Sequence, residues 1–437
     1  MGLVRQSATT FASRILITIV NIPISILVAR SLGVEGQGVY AAAGAFPALW
    51  ATFWILGLDA SHTWSLAGGR TSLGRVLGNT AVWLILLSLL AVPTYMLAIR
   101  LLDPEKARAL VPVLWITALM IPLLLARTLL LSCFLGMHQV DQYNLLNVVS
   151  QIVLLVLLVI ALMLGRGGTR AAVAALAFAN ALLVAIAIAW VIRRKPPDDP
   201  VRTDRALMKT SFSYGVRGYG ATLFGQLNYR FDQVLVTHFA GVAEQGYYSI
   251  AVLLAEKLAH ITNSVQLVVF PRVSASTTED ANRITTTACR HAVFWVGMAA
   301  LAMYALGRVL IRLLYGSAFL PALSALFYLI PGIFLLSYWK VLAVDLSGRN
   351  RRFPTTLASF IALGVNTLLN FHWIPRHGMV GAAWSSTISY AVQSFVLILF
   401  FLRITGIPAR KLFIPERGDL EIYRRLIAGL GKGRKGK

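Results

Sequence analysis

Twelve stretches of roughly twenty mostly apolar residues limit what this 437-residue chain can fold into. A helix of that length crosses the hydrocarbon core of a bilayer, and inside lipid only a helix or a closed barrel satisfies its own backbone polar groups. The stretches lie near residues 8–30, 38–58, 76–99, 109–135, 142–165, 171–192, 211–239, 244–270, 289–311, 322–346, 354–374 and 379–402. Only 13% of the residues are charged, against about a quarter in soluble domains, too few to cover the surface of a water-soluble enzyme. The expected fold is an all-α polytopic membrane protein with about twelve transmembrane helices. The first stretch includes Arg14 and no small-residue cleavage pattern follows it, so it reads as a retained span.

The net charge is +23. In a soluble chain that excess would point to nucleic acid. On this apolar background it reads instead as topogenic charge and contact with anionic lipid heads, with no nucleic-acid partner. An even number of spans puts both ends on one side. About 25 Lys and Arg residues fall on the connections of that side and about 8 on the other, so both termini are expected in the cytoplasm. The basic tail 404–437 carries a short amphipathic stretch, Leu420–Leu430, which fits a helix lying on the membrane surface. Cys133 and Cys289 sit in apolar runs with no CxxC pattern, and read as packing residues.

An internal repeat divides the chain. Gly33-Val34-Glu35-Gly36-Gln37-Gly38-Val39-Tyr40-Ala41-Ala42-Ala43 follows the first span, and Gly241-Val242-Ala243-Glu244-Gln245-Gly246-Tyr247-Tyr248-Ser249-Ile250-Ala251 follows the seventh. Six of the eleven positions are identical at an offset of 208. Leu135-Gly136 with Ser347-Gly348, and Gly168…Ala172 with Gly378…Ala382, echo it at 210 to 212. The expected organisation is an N-terminal six-helix lobe, 1–192, a charged cytoplasmic linker, 193–210, a C-terminal six-helix lobe, 211–403, and the basic tail. Six is even, so the lobes run the same way and are related by a pseudo-twofold along the membrane normal, as in alternating-access carriers with a central cavity. No GxxxxGK[ST] motif is present, and no outer loop carries a carboxylate or histidine cluster. A carrier is expected, not an enzyme, with neither cofactor nor metal.

Ionisable groups within spans normally face a bundle interior or a wet cavity. Here they are mostly cations: Arg14, Arg127, Arg217, Arg230, Lys257 and Lys340. The acids Asp232 and Glu256, with His260, are candidates to balance them or to titrate. Asp59, Asp345 and His62 complete the set. Asn228 and Asp232 share one face of span seven, and Gln226 and Arg230 form a second polar stripe, so this helix is expected to line an inner cavity. Alternatives stand beside these readings. Arg14, Arg127, Arg217 and Lys340 lie close enough to span ends to snorkel. Arg230, Asp232, Glu256 and Lys257 could serve as ion pairs joining spans seven and eight. Trp50, Trp54, Trp64, Trp83, Trp115, Tyr214, Tyr219 and Tyr229 fit interface belts better than sugar platforms. The excess of cations suits an anionic cargo such as a phosphate or pyrophosphate.

The run Ala29-Arg30-Ser31-Leu32-Gly33-Val34-Glu35-Gly36-Gln37-Gly38-Val39-Tyr40 resembles the polysaccharide transporter family. That family holds the O-antigen-type lipid-linked oligosaccharide flippases of the multidrug/oligosaccharidyl-lipid/polysaccharide exporter superfamily. Asn228-Tyr229-Arg230-Phe231-Asp232-Gln233, Ala255-Glu256-Lys257-Leu258 and Phe270-Pro271-Arg272-Val273-Ser274 are similar to the same pattern. The resemblance implies a V-shaped pair of lobes in a bacterial or archaeal cytoplasmic membrane, turning a polyprenyl-pyrophosphate-linked glycan to the outer leaflet. It also implies coupling to an ion gradient or membrane potential, and neighbouring glycan polymerase or glycosyltransferases as partners. Two sister functions are the alternatives. Multidrug/cation antiporters should carry acids in the cavity, whereas span one here holds Arg14. Peptidoglycan-precursor flippases typically have two further spans.

Overall fold

In the computed structural model, which describes residues 2–105, 108–416 and 419, the chain is built from helices. They are α1 (Gly2–Trp54), α2 (Leu58–Ala67), α3 (Leu73–Arg100), α4 (Leu114–Gly136), α5 (Val140–Leu158), α6 (Thr169–Arg194), α7 (Arg205–Ala240), α8 (Val242–Ser274), α9 (Thr278–Leu314), α10 (Ala322–Gly348), α11 (Phe353–Thr405) and the short α12 (Arg410–Phe413). The protein is an all-α polytopic membrane protein. The stretch Leu420–Leu430 lies outside the described residues.

Among the described residues, eight helices are long and apolar enough to cross a membrane. Two of them cross twice. α1 and α11 have 53 residues each, about 80 Å if straight, against a hydrocarbon core of about 30 Å. Each is broken by a glycine in the left-handed region, Gly33 at φ 69° and Gly378 at φ 54°, a conformation that costs other residues strain. The chain turns back there: the Trp373 and Trp384 rings lie 5.7 Å apart, where a straight helix would separate residues eleven apart by about 16 Å. α7 and α8 complete twelve crossings by length. They are less apolar than the other eight, because their polar residues face protein and cavities.

Two segments expected as loops are helical. α9 begins at Thr278, where Thr277 accepts from the Asp280 N–H (3.3 Å) and Glu279 and Asp280 occupy the first turn, a favoured placement for negative charge. α7 begins at Arg205, six residues before the expected 211. Asp204 caps it by accepting from the Leu207 N–H at 3.0 Å. The connection ahead of α7 is strapped onto the start of α3. Asp199 accepts from the Gly74 N–H (2.5 Å), Asn79 exchanges two bonds with the Asp204 backbone (3.0 and 2.8 Å), and Arg75 pairs with Asp204 at 3.3 Å. Both carboxyls titrate below the ordinary range. For Asp204 the largest cause is the Leu207 N–H, with Arg75 adding to it. For Asp199, burial pushes upward, and the bonds from Ser72 and Gly74 outweigh it.

The apolar cores follow the chain order. Leu73, Leu130, Phe134, Leu183 and Val191 pack together among α3–α6, while Tyr248, Leu326, Ile330, Ile374 and Tyr390 join α8, α10 and α11. Two helices cross between these groups. The first half of α7 lies against α2 and α3, with Tyr214 stacked on Trp64 at 4.5 Å, Phe212 on Trp83 at 5.8 Å, and the Tyr219 hydroxyl donating to Thr52 O. The middle of α1 lies against α8 and α9, where Ala29 enters the second core and Arg30 donates to Leu314 O at 2.8 Å.

The two faces of the bundle differ. On the side of Gly33 and Gly241, here the far side, backbones meet directly. A Cβ on Gly38 would collide with Val242 O, and one on Gly246 with Val34 O. Residues 34 and 38 stand 208 positions before 242 and 246, so the contact is reciprocal, as in a two-fold interface. Gln37 donates to Ser249 (3.1 Å), Ser25 meets Tyr315 (3.2 Å), and the Asp103 N–H donates to His238 Nδ1 (3.1 Å). On the opposite side, that of residues 195–204, cavities open between the same helices.

Candidate functional site

The site is laid out by the helical period of α8. Glu256, His260 and Asn263 recur at intervals of four and three, and so share a face. With Arg230, Asp232 and Tyr248, and with Lys340 of α10, they line a cavity of about 180 Å³. Lys257, His260 and Ser264 form the adjoining stripe, which faces α1 across a cavity of about 430 Å³ whose other wall is Phe11, Arg14, Ile15 and Thr18. His260 and Asn263 belong to both walls. His260 is reached by the charges of Lys257, Glu256, Lys340 and Arg14. Arg14, Arg230, Lys257 and Lys340 thus converge on neighbouring spaces with two acids among them, which leaves a cationic surplus.

Their pairing is incomplete. Arg230 meets Glu256 at 3.3 Å across α7 and α8, both partners more than a third exposed. Lys340 Nζ donates to Asn263 Oδ1 at 2.7 Å, a neutral partner that leaves its charge available. Asp232 is held differently. It is 2% exposed and accepts from the Tyr248 hydroxyl (2.5 Å), Ser386 Oγ (3.0 Å) and the Gln233 N–H (2.7 Å). Asn228, on the same face, packs into α11: Ser389 donates to it at 2.7 Å, and it donates to Gln393 Oε1 at 3.3 Å. The Asn228 stripe is therefore a polar seam to α11 and the Gln226/Arg230 stripe is the cavity wall. Helical spacing puts residues on a common face but does not say which neighbour that face meets.

The remaining predicted cations lie elsewhere. Arg217 lines a larger cavity of about 880 Å³ between α2, α7 and the start of α11, with Asp59, Trp64, Lys209, Tyr214 and Arg352. Arg127 is half-buried among α4, α5 and α6, donating to Asn180 Oδ1 at 2.9 Å and Asn147 Oδ1 at 3.0 Å, which makes it a strut between helices. Asp345 is buried and bound by Arg349 at 2.8 Å and Thr285 at 2.6 Å. Among the described residues no cluster of three His, Cys, Asp or Glu could hold a metal ion. Asn263, Lys209 and Arg352 line these cavities without standing out in the sequence. Asn263 is signalled by its spacing of seven residues from Glu256; the two cations fall where loop charge is expected.

Known proteins share this architecture. A solved structure of the lipid II flippase MurJ, in an inward closed conformation, aligns with a TM-score of 0.77 at 16% identity, over 94% of this chain and 89% of that one. An inward-facing multidrug resistance MATE family transporter of the MOP superfamily aligns with a TM-score of 0.69 at 13% identity, over 92% and 98%. A MOP superfamily transporter from Pyrococcus furiosus, described as having a binding pocket of reverse polarity, aligns at 0.61 and 16%, over 92% and 95%. At such identities these likenesses concern the fold alone. In sequence, the uncharacterized membrane protein MJ1068 of Methanocaldococcus jannaschii is 26% identical over 209 residues, 46% of this chain and 40% of that protein. The chain therefore spans less than half the length of that curated relative. The profile of the polysaccharide biosynthesis protein family matches residues 3–277, more than half of the sequence, and the chain belongs to that family.

Proposed function

We propose that this protein is a flippase that carries a polyprenyl-pyrophosphate-linked oligosaccharide or polysaccharide unit across the cytoplasmic membrane by alternating access. It acts as a carrier, not an enzyme. The moving bodies are the lobes 1–192 and 211–403, with 193–210 as their linker. The observation that carries this reading is the convergence of Arg14, Lys257, His260 and Lys340 on two adjoining cavities, one between α1 and α8 and one among α7, α8, α10 and α11, beneath a far side closed by glycine contacts. A pyrophosphate in that space meets several donors at once, and charge-assisted bonds to its oxygens are the strong class. Phe11 and Ile15, both over 40% exposed on α1, give the polyprenyl chain an apolar flank in contact with lipid. The Lys/Arg bias supports a cytoplasmic linker side with both termini there, and on that reading the cavities open inward. Asp232, Glu256 and His260 are the groups proposed to balance charge or to couple transport to an ion gradient.

The test uses purified protein in liposomes with a fluorescent polyprenyl-pyrophosphate glycan on one leaflet. Flipping should fall at least tenfold in a Lys257→Gln/Lys340→Gln variant at equal insertion. Native protein that flips nothing, yet expels a cationic dye on a proton or sodium gradient, would replace this reading with the cation antiporter.

A further inference from the structure

The cavity between α2, α7 and α11 is not accounted for by a pyrophosphate site on α8. We infer that it is a second anion subsite, which receives a carboxylate-bearing sugar of the glycan head, so that the cargo is an acidic glycan. The inference rests on the flippase reading above.

The cavity, at about 880 Å³, is twice the size of the α1/α8 space. Three cations from two places in the chain reach it, Lys209 and Arg217 of α7 and Arg352 preceding α11, against one acid, Asp59. The rest of the wall suits a sugar. Thr210, Ser213 and Thr222 bring hydroxyls, and Trp64 and Tyr214 stack on each other with their planes 18° apart, giving a flat aromatic edge. Arg217 and Arg352 offer forked donors that match a carboxylate.

Arg217 and Arg230 lie on the same uninterrupted helix, thirteen residues apart, which is about 20 Å along its axis. A ligand that bridges them must be long, with negative charge at one end and again several sugar rings away. A pyrophosphate followed by a neutral glycan would leave the second cluster unmatched. Lipid head groups share the anion chemistry, so the source has to be separated experimentally.

The measurement is binding to the full chain in nanodiscs of phosphatidylcholine, using a glucuronic acid tetrasaccharide, a neutral glucose tetrasaccharide and inorganic pyrophosphate as probes. The acidic tetrasaccharide should bind at least tenfold more tightly than the neutral one. Arg217→Gln/Arg352→Gln should remove that preference, while Lys257→Gln/Lys340→Gln weakens pyrophosphate instead. Equal binding of the two tetrasaccharides overturns the subsite, as does loss of the acidic one in the Lys257/Lys340 variant. If phosphatidylglycerol in the nanodiscs abolishes acidic tetrasaccharide binding, the cluster is a lipid-head site and the inference is wrong. Absence of pyrophosphate binding with the acidic preference intact removes the flippase reading but leaves the acid subsite standing.

Discussion

The far side and the linker side of this bundle hold the same helices together by different physics. On the far side α1 and α8 touch backbone to backbone, because glycines at 38 and 246 leave no Cβ in the way. On the linker side the same two helices stand apart around a cavity whose walls carry Arg14, Lys257 and His260. The first contact is steric and depends on a single atom. The second region is electrostatic and graded, because charges act over several ångströms and through water. A closed end made from small residues beside an open end made from charges is what a carrier needs: the charges are available to a ligand only where the helices separate.

The largest expected effect comes from the steric side. Gly246→Val places a side chain against the Val34 carbonyl. Backbone cannot move aside cheaply, and overpacking of this kind costs about 1–3 kcal/mol. Flipping should fall more than tenfold. A cysteine introduced at Val242, now 4% exposed, should become reactive to an impermeant thiol reagent from the far side. Cys133 and Cys289 are buried and leave that readout clean. Unchanged reactivity would mean that the glycine contact is not the seal.

A smaller effect separates two cations that look alike in sequence. Arg127 is held by two asparagines inside α4–α6, whereas Arg230 is held by Glu256 at a cavity wall. Arg127→Gln should lower the thermal midpoint, by the equivalent of about 1–3 kcal/mol for losing charged hydrogen bonds. Glu256→Gln should raise pyrophosphate affinity a few-fold, because it frees the Arg230 charge. Loss of pyrophosphate binding in Arg127→Gln, with no change in stability, would return Arg127 to the ligand.

These two arginines also show what the sequence could and could not say. Apolar runs mark the crossing helices, since hydrophobic length is a local property, and the 208-residue offset makes Val34 equivalent to Val242 and Gly38 to Gly246, without saying that 34 meets 246 and 38 meets 242. Partners were not legible. A lone arginine in an apolar helix reads the same whether asparagines from α5 and α6 or a glutamate from α8 lie opposite. Trp64 and Tyr214 fit an interface belt in the sequence, and in the structure they stack on each other beside the 880 Å³ cavity. Their sequence separation hid the pairing. Arg352 and Lys209 were legible as charge and not as cavity wall, because both sit where topogenic charge is expected.

The smallest effect concerns the strap that ties α7 to α3 on the linker side. Asp199 and Asp204 both titrate below the ordinary carboxylate value of 3.8. A depressed folded value means that the charged form stabilises the strap. The contribution is full above the unfolded value and is lost as pH falls through the folded one, so the strap should hold from neutral pH down to about 4 and loosen only below that. A spin label at position 201, on a Val201→Cys variant at an exposed site, should be equally mobile at pH 7 and pH 5 and freer at pH 3. At neutral pH, Asp204→Ala removes both the cap on Leu207 and the Arg75 pair, and should speed tryptic cleavage near Arg202 several-fold. Asp204→Asn keeps a good capping side chain and loses only the charge, so it should cleave nearly as slowly as the native chain. If the two variants cleave alike, the ion pair with Arg75 holds the linker and the cap does not. The linker side would then be electrostatic throughout, in full contrast to the glycine contacts across the membrane.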